Sequence, residues 1–267
     1  GSSFGAGLDV LGSSTVTLDY TDIHDNNGIS GSGIYVGAGS TVTFDNDSDI
    51  YNNVSSGTGG GVVVYGTLNG YDSSSDIYSN SATDGGGIAV IDGTLALDNA
   101  DVVANTASGD GGGIFAAEGA EVTLTNSAFV GETAPCCQSA ANGGGIYAQD
   151  SQVSLSASTT VMNNTASANG GGIYLTSDSS LLTAVNTRLG YDNTTVSGND
   201  AVLGAGMYVI SATVDFQGTI YNNIASNSGG GVYAVDGVGS HGDTRACGAA
   251  GSQALLIGAG AVNGGGM

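Results

Sequence analysis

Lysine is absent from this chain of 267 residues, and Arg188 and Arg245 are its only permanent cations. Against them stand 24 acidic residues, all Asp except Glu118, Glu121 and Glu132, for a formal charge of −22. A polyanion of this kind repels nucleic-acid phosphates and anionic lipid heads, which excludes both as partners and leaves small cations and cationic surfaces. The same composition suits an extracellular or salt-exposed setting. Proline occurs once, at Pro135, beside 49 Gly, which excludes collagen and proline-rich stalks. No stretch of 18 apolar residues occurs, so no direct membrane insertion of this segment is expected. No leader with a basic start and an apolar middle is seen either, which suggests a mature product or part of a longer chain. Cys136, Cys137 and Cys247 are too few and too irregularly spaced for a disulfide scaffold or a zinc site.

What remains is enough to build a core, since 40% of the residues are hydrophobic. A glycine motif recurs along the whole chain, as "GAGL", "GSGI", "GGGV", "GGGI", "GAGM" or "GGGM". Its third residues are Gly7, Gly33, Gly61, Gly87, Gly113, Gly145, Gly172, Gly206, Gly231 and Gly266. Most intervals lie between 25 and 28 residues, and a fixed period of that size decides architecture before any local pattern does. A second element keeps step six to eight residues earlier: an aliphatic residue, two variable ones, then Asn, as in "IYSNSA" from Ile77, "VVANTA" from Val102 and "IYNNIA" from Ile220. In "FVGETA", Glu132 stands where Asn is expected.

Between these elements run short alternating segments such as "STVTF" and "SQVSL", the pattern of a strand with one face buried. Each repeat then holds three short strands and three turns. One such coil cannot bury its own apolar face, but stacked coils can, with hydrogen bonds running between coils at roughly 4.8 Å. The expected fold is all-β, a parallel β-helix of nine to ten coils of about 26 residues, right-handed by the usual chirality of parallel crossovers. Ile34, Val36, Val42, Phe44 and Ile50 point inward in the second coil. Asn53, Asn80 and Asn105 fall at one corner, where each amide can bond its counterpart one coil away and where Asn tolerates left-handed dihedrals. Glycine at the next corner permits positive φ and close approach of stacked backbones.

The pairing of "GGGI" with "(I/V/F)xxN" resembles the repeats of polymorphic outer-membrane proteins and, more widely, of bacterial surface β-helices such as autotransporter passengers. The resemblance covers essentially the whole chain. It implies a non-catalytic role in adhesion, surface coating or filament building at a cell surface, with other surface proteins, glycans or further copies stacked end to end as partners.

Three longer intervals mark insertions in the single domain 1–267, at about 135–142, 177–195 and 236–256. They hold every Cys, both Arg and His241. Cys136 and Cys137 can pair with each other or with something outside the segment, or the thiols can stay free; with Cys247 about four coils from Cys137, roughly 19 Å would separate them, beyond disulfide reach. "HGDTR", from His241 to Arg245, offers a base, a carboxylate and a cation, but lacks the paired carboxylates of a polygalacturonase-like site and any lysine. A polysaccharide lyase or glycoside hydrolase is therefore the second reading, with no catalytic residue named. No cofactor is implied beyond weak Ca²⁺ binding by scattered Asp. His24 occupies the outward slot of Tyr51 and Tyr78 and reads as a lone exposed histidine. Alternation also turns the residue after each motif aliphatic outward, giving Tyr35, Phe115, Tyr147, Tyr174, Tyr208 and Tyr233. Tyr147, Tyr174, Tyr208 and Tyr233 then fall on consecutive coils, either as a stabilising stack or as a flat platform for sugar rings or a neighbouring molecule.

Overall fold

A computed structural model describes residues 4–126, 129–130, 138–156, 158–177, 186–189, 194–216, 218–235, 238–241 and 245–247. Four parallel ladders run side by side through them. The first three have nine strands each, running from Leu8–Val10 to Val232–Val235, from Thr15–Asp19 to Val238–His241, and from Ile23–His24 to Arg245–Cys247. The fourth has eight, from Asn27–Gly28 to Ile224–Ser228. Every strand pairs with its counterpart one coil away, which makes the chain a parallel β-helix.

The first eight coils thus have four strands each, where the alternation predicts three. The fourth strand is two to five residues long and follows the Asn corner directly, too short to show a period of two. Its signature is instead the Ala that trails the Asn. Ala107, Ala140, Ala166 and Ala201 turn inward and are buried, and Ala166 and Ala201 pack with Ala205 in a small satellite core. Gly28 and Ser55 stand at the same register in the first two coils, so the corner takes only small residues.

The main core is a set of axial columns. Ile34, Val62, Ile88, Ile114, Ile146 and Ile173 form one, and Ile50, Ile77, Val102, Val130 and Val161 another, all fully buried. The five inward residues expected in the second coil are all 0% exposed. Columns also compensate for size. Gly70 sits between Phe44 and Leu97, and the Phe44 ring occupies the space a Cβ on Gly70 would need.

The Asn corner is the polar counterpart of those columns. Asn80 donates its main-chain N–H and its Nδ2 to Asn105 Oδ1 at 2.9 and 3.1 Å, and a second Nδ2 bond goes to Ile50 O at 2.8 Å. Asn26 and Asn53 repeat the pattern below it, and Asn164 and Asn199 above. A buried amide costs free energy unless all its groups are bonded, and the ladder bonds them. The left-handed residue is not the ladder Asn itself, as the sequence suggests, but the one before it: Asn52, Ser79, Ala104, Asn163 and Asn222 have φ between 52 and 54°.

Among the described residues the ladder breaks at one place. Val130 pairs with Val102, which shifts the "FVGETA" register by one residue, and Gln138 rather than Glu132 takes the Asn position. Gln138 Nε2 donates to Val102 O at 2.8 Å, the bond that Asn105 makes to Ile77. Its longer side chain does not continue the ladder, and Gln138 Oε1 and Asn164 Oδ1 are both buried without a partner. Glu132, Cys136 and Cys137 lie outside the described residues.

The glycine triad has a different duty at each position. The first glycine, as at Gly59, Gly85 and Gly111, has φ between 63 and 67°. The third abuts the ladder, where a Cβ on Gly87 would lie 2.8 Å from both Asn105 Nδ2 and Gly113 O. The second position tolerates Ser32 and Ala205, as the "GSGI" and "GAGM" copies already show.

The insertions are shorter than the sequence spacing implies, because solenoid strands run through them. Ser139–Asn142 is a strand of the fourth ladder and Asn186–Leu189 a strand of the second. Val238–His241 and Arg245–Cys247 continue the second and third. Their patterns are hidden because Arg188, His241 and Cys247 stand in registers occupied by other residue types in neighbouring coils.

Two substitutions test the ladder in opposite directions. Asn80→Ala strands donors and acceptors on both sides and should cost about 3 kcal/mol or more. Gln138→Asn should reconnect the two halves and stabilise by about 1 kcal/mol. Chemical denaturation of both variants checks this; a neutral Asn80→Ala would contradict the ladder's importance.

Candidate functional site: aromatic columns on the outer faces

Strand alternation in the first ladder turns one residue per coil outward between two inward ones. Register then places Phe115, Tyr147, Tyr174, Tyr208 and Tyr233 directly above one another. Successive ring centroids lie 5.3, 4.9, 4.9 and 5.3 Å apart, and the planes are within 15° of parallel. The four tyrosines expected on consecutive coils are therefore brought together, with Phe115 as a fifth ring. Tyr35 is separated from them by Val63 and Ala89 and leans on Phe4 and Tyr65 instead.

The geometry bears on what this row can do. Rings stacked along the axis spend their faces on each other, so the inner rings offer edges and hydroxyls to a ligand. A sugar platform needs open faces. Among these five rings an unstacked face remains only at the two ends, and the coil beyond Phe115 carries the small Ala89 at that register. Tyr147 is 8% exposed, and its hydroxyl donates to Gln149 Oε1 at 3.5 Å. Burial pushes the phenols of Tyr147, Tyr174 and Tyr208 above their ordinary value, and neighbouring charged groups add to it, Asp110 beside Tyr147 among them.

A polar column accompanies the rings. Asp84 Oδ1 accepts from the Asp110 N–H at 2.8 Å, Asp110 Oδ1 from Asn142 Nδ2 at 2.9 Å, and Asn142 Oδ1 from Asn169 Nδ2 at 3.2 Å. Burial raises the Asp110 carboxyl pKa, and the Asn142 hydrogen bond opposes that rise.

The third ladder carries a second aromatic column, in the outward slot that His24 shares with Tyr51 and Tyr78. His24, Tyr51 and Tyr78 stack with centroids 4.7 and 4.9 Å apart and planes within 5°. His24 is thus not alone: its ring lies on Tyr51, and its Nδ1 is 2.7 Å from Asp25 Oδ2. Beside the rings, Asp22 Oδ1 accepts from the Asp49 N–H and Asp49 Oδ1 from the Asp76 N–H, at 3.2 and 2.9 Å. Desolvation first, and then the carboxylates of Asp22 and Asp49, push the Tyr51 and Tyr78 phenols up. The signal was available in the sequence as "DIHDN", "DIYNN" and "DIYSN" at one phase of the repeat.

Of the remaining candidates, Cys247 lies in a strand paired with Thr219–Tyr221, whereas Cys136 and Cys137 fall outside the described residues. Among the described residues no three His, Cys, Asp or Glu side chains converge on a metal position.

The raised phenols give a pH dependence with a definite sign. Below about pH 10 tyrosine is neutral folded and unfolded, so the stacks contribute fully. Above it the unfolded chain loses phenolic protons first, and stability falls as pH climbs through the folded-state values. Absorbance at 295 nm should show one tyrosine population titrating normally and a second ionising later, together with unfolding. A single transition near pH 10 with the fold retained would contradict the buried stack.

No curated protein and no solved structure matches the chain. A family model described as "Right handed beta helix region" matches residues 6–245. With that match spanning most of the sequence, and the parallel ladders independently built from its residues, the chain belongs to the right-handed β-helix family.

Proposed function

We propose that this chain is a non-catalytic structural or adhesive element of an extracellular surface or filament, of the kind its repeats resemble in polymorphic outer-membrane proteins and autotransporter passengers. The observation that carries the reading is how its polar and aromatic side chains are used. Asparagines bond asparagines, rings stack on rings, and Asp84, Asp110 and Asn142 bond the next coil. These side chains are committed to holding one coil on another. That arrangement makes a stiff rod whose acidic flanks favour cationic or hydroxyl-rich partners over nucleic acid and anionic lipid.

The enzyme reading differs in a measurable way. Incubation with acidic polysaccharides should yield neither new reducing ends nor unsaturated products. Turnover above a heat-denatured control would overturn the structural role.

A further inference from the structure

The outward face of the first ladder has a second column, two residues after the aromatic one. It contains Ile91 and, paired with it, Ala117; on the next coil Gln149 follows Ala148, the partner of Ala116. Alanine between isoleucine and glutamine leaves a rung of that column nearly empty. The gap is a groove of about 450 Å³ lined by Ile91, Phe115, Ala117, Glu118, Gly119, Gln149 and Asp150. Its floor is apolar, and one wall is Phe115, the terminal ring of the stack.

The opposite wall is the turn that follows the strand, and it is acidic. Glu118 and Asp150 both have φ above zero, at 59 and 49°, so the chain bends sharply at each. Asp92 occupies the same turn one coil earlier, and a Cβ added to Gly119 would lie 3.9 Å from its Oδ1. Asp150 is held in place by a 3.0 Å bond from Ser177 Oγ. An apolar slot beside an aromatic ring, rimmed by carboxylates, matches a guest with an aliphatic stem and a cationic head. The stem would lie on Ile91 and Ala117 beside the Phe115 ring, and the ammonium would meet the carboxylates of Glu118 and Asp150.

We propose that this groove receives a lysine side chain from a basic partner protein, supplying the rung that Ala117 leaves out. Charge complementarity favours that occupant: this chain carries a formal charge of −22 and no lysine of its own. The inference rests on the adhesive reading above, but probe binding is read independently of polysaccharide turnover, so either can fail alone.

The test uses the whole chain at physiological salt, with Nα-acetyl-lysine methylamide as probe and the norleucine amide, which keeps the aliphatic stem without the ammonium, and glucosamine as comparisons. NMR should show saturable shifts at the Ala117 methyl and the Phe115 ring, with a Kd on the order of 1 mM. Ala117→Leu fills the rung from outside the core and should abolish the shifts. Glu118→Gln, at an exposed turn, should weaken binding about threefold or more, and the norleucine amide should bind at least that much more weakly than the lysine probe. No saturable shift, shifts that survive Ala117→Leu, or glucosamine binding as tightly as the lysine amide would each overturn the proposal.

Discussion

The hydrogen bond between one coil's backbone and the next governs everything else in this molecule. Because Ile34 N donates to Gly61 O, Val62 N to Gly87 O and Ile88 N to Gly113 O, each residue is fixed over its counterpart at a strand's spacing. A side chain is therefore judged by the copy of itself above and below. Aliphatic residues so placed make a continuous core, and flat rings make a stack. Primary amides bond each other because each has both a donor and an acceptor to offer. Carboxylates are the exception, since like charges directly opposite repel. They survive at the corners by accepting main-chain or carboxamide N–H groups from the next coil, as Asp49 and Asp110 do.

The same constraint explains what could be read from the sequence. A glycine that must lie against a ladder Asn cannot vary, so Gly33, Gly61, Gly87 and their counterparts marked the period. The inward columns followed, because Val42 and Phe44 alternate with polar neighbours. What escaped notice was wherever the chain meets the constraint with different residues. The fourth strand is too short to alternate. Gln138 reaches the carbonyl that an Asn would reach, but it lies eight residues after Val130 where Asn105 lies three after Val102, and the five extra residues displace the motif. The strand Asn186–Leu189 holds Arg188 opposite Ser154 and Asp215, and the match of Leu189 with Leu155 is too little pattern to reveal the pairing.

The candidate site was legible in part. The row from Tyr147 to Tyr233 followed from strand parity alone. The orientation of its rings did not, because parity says which side a residue is on and nothing about how its plane turns. That orientation shifts the row's role toward holding coils together, and moves the more promising recognition feature to its end, where Phe115 borders the groove. A groove made by one undersized residue in a column can be seen only once the column is known. The acidic turn beside it, Asp92, Glu118 and Asp150, has no sequence pattern that sets it apart from an ordinary loop.

A rod assembled by ladders should be no more uniform than they are, and here the Asn ladder is interrupted at Gln138. Repeat arrays tend to open in blocks bounded by their weakest interface. Native-state amide hydrogen exchange, resolved by residue, tests the account most directly. It predicts deep, similar protection through Asn53 and Asn80 and again through Asn164 and Asn199, with a clear minimum between Asn105 and Gln138. Protection that runs unbroken across that position, or that is lowest within an intact ladder segment, would contradict it.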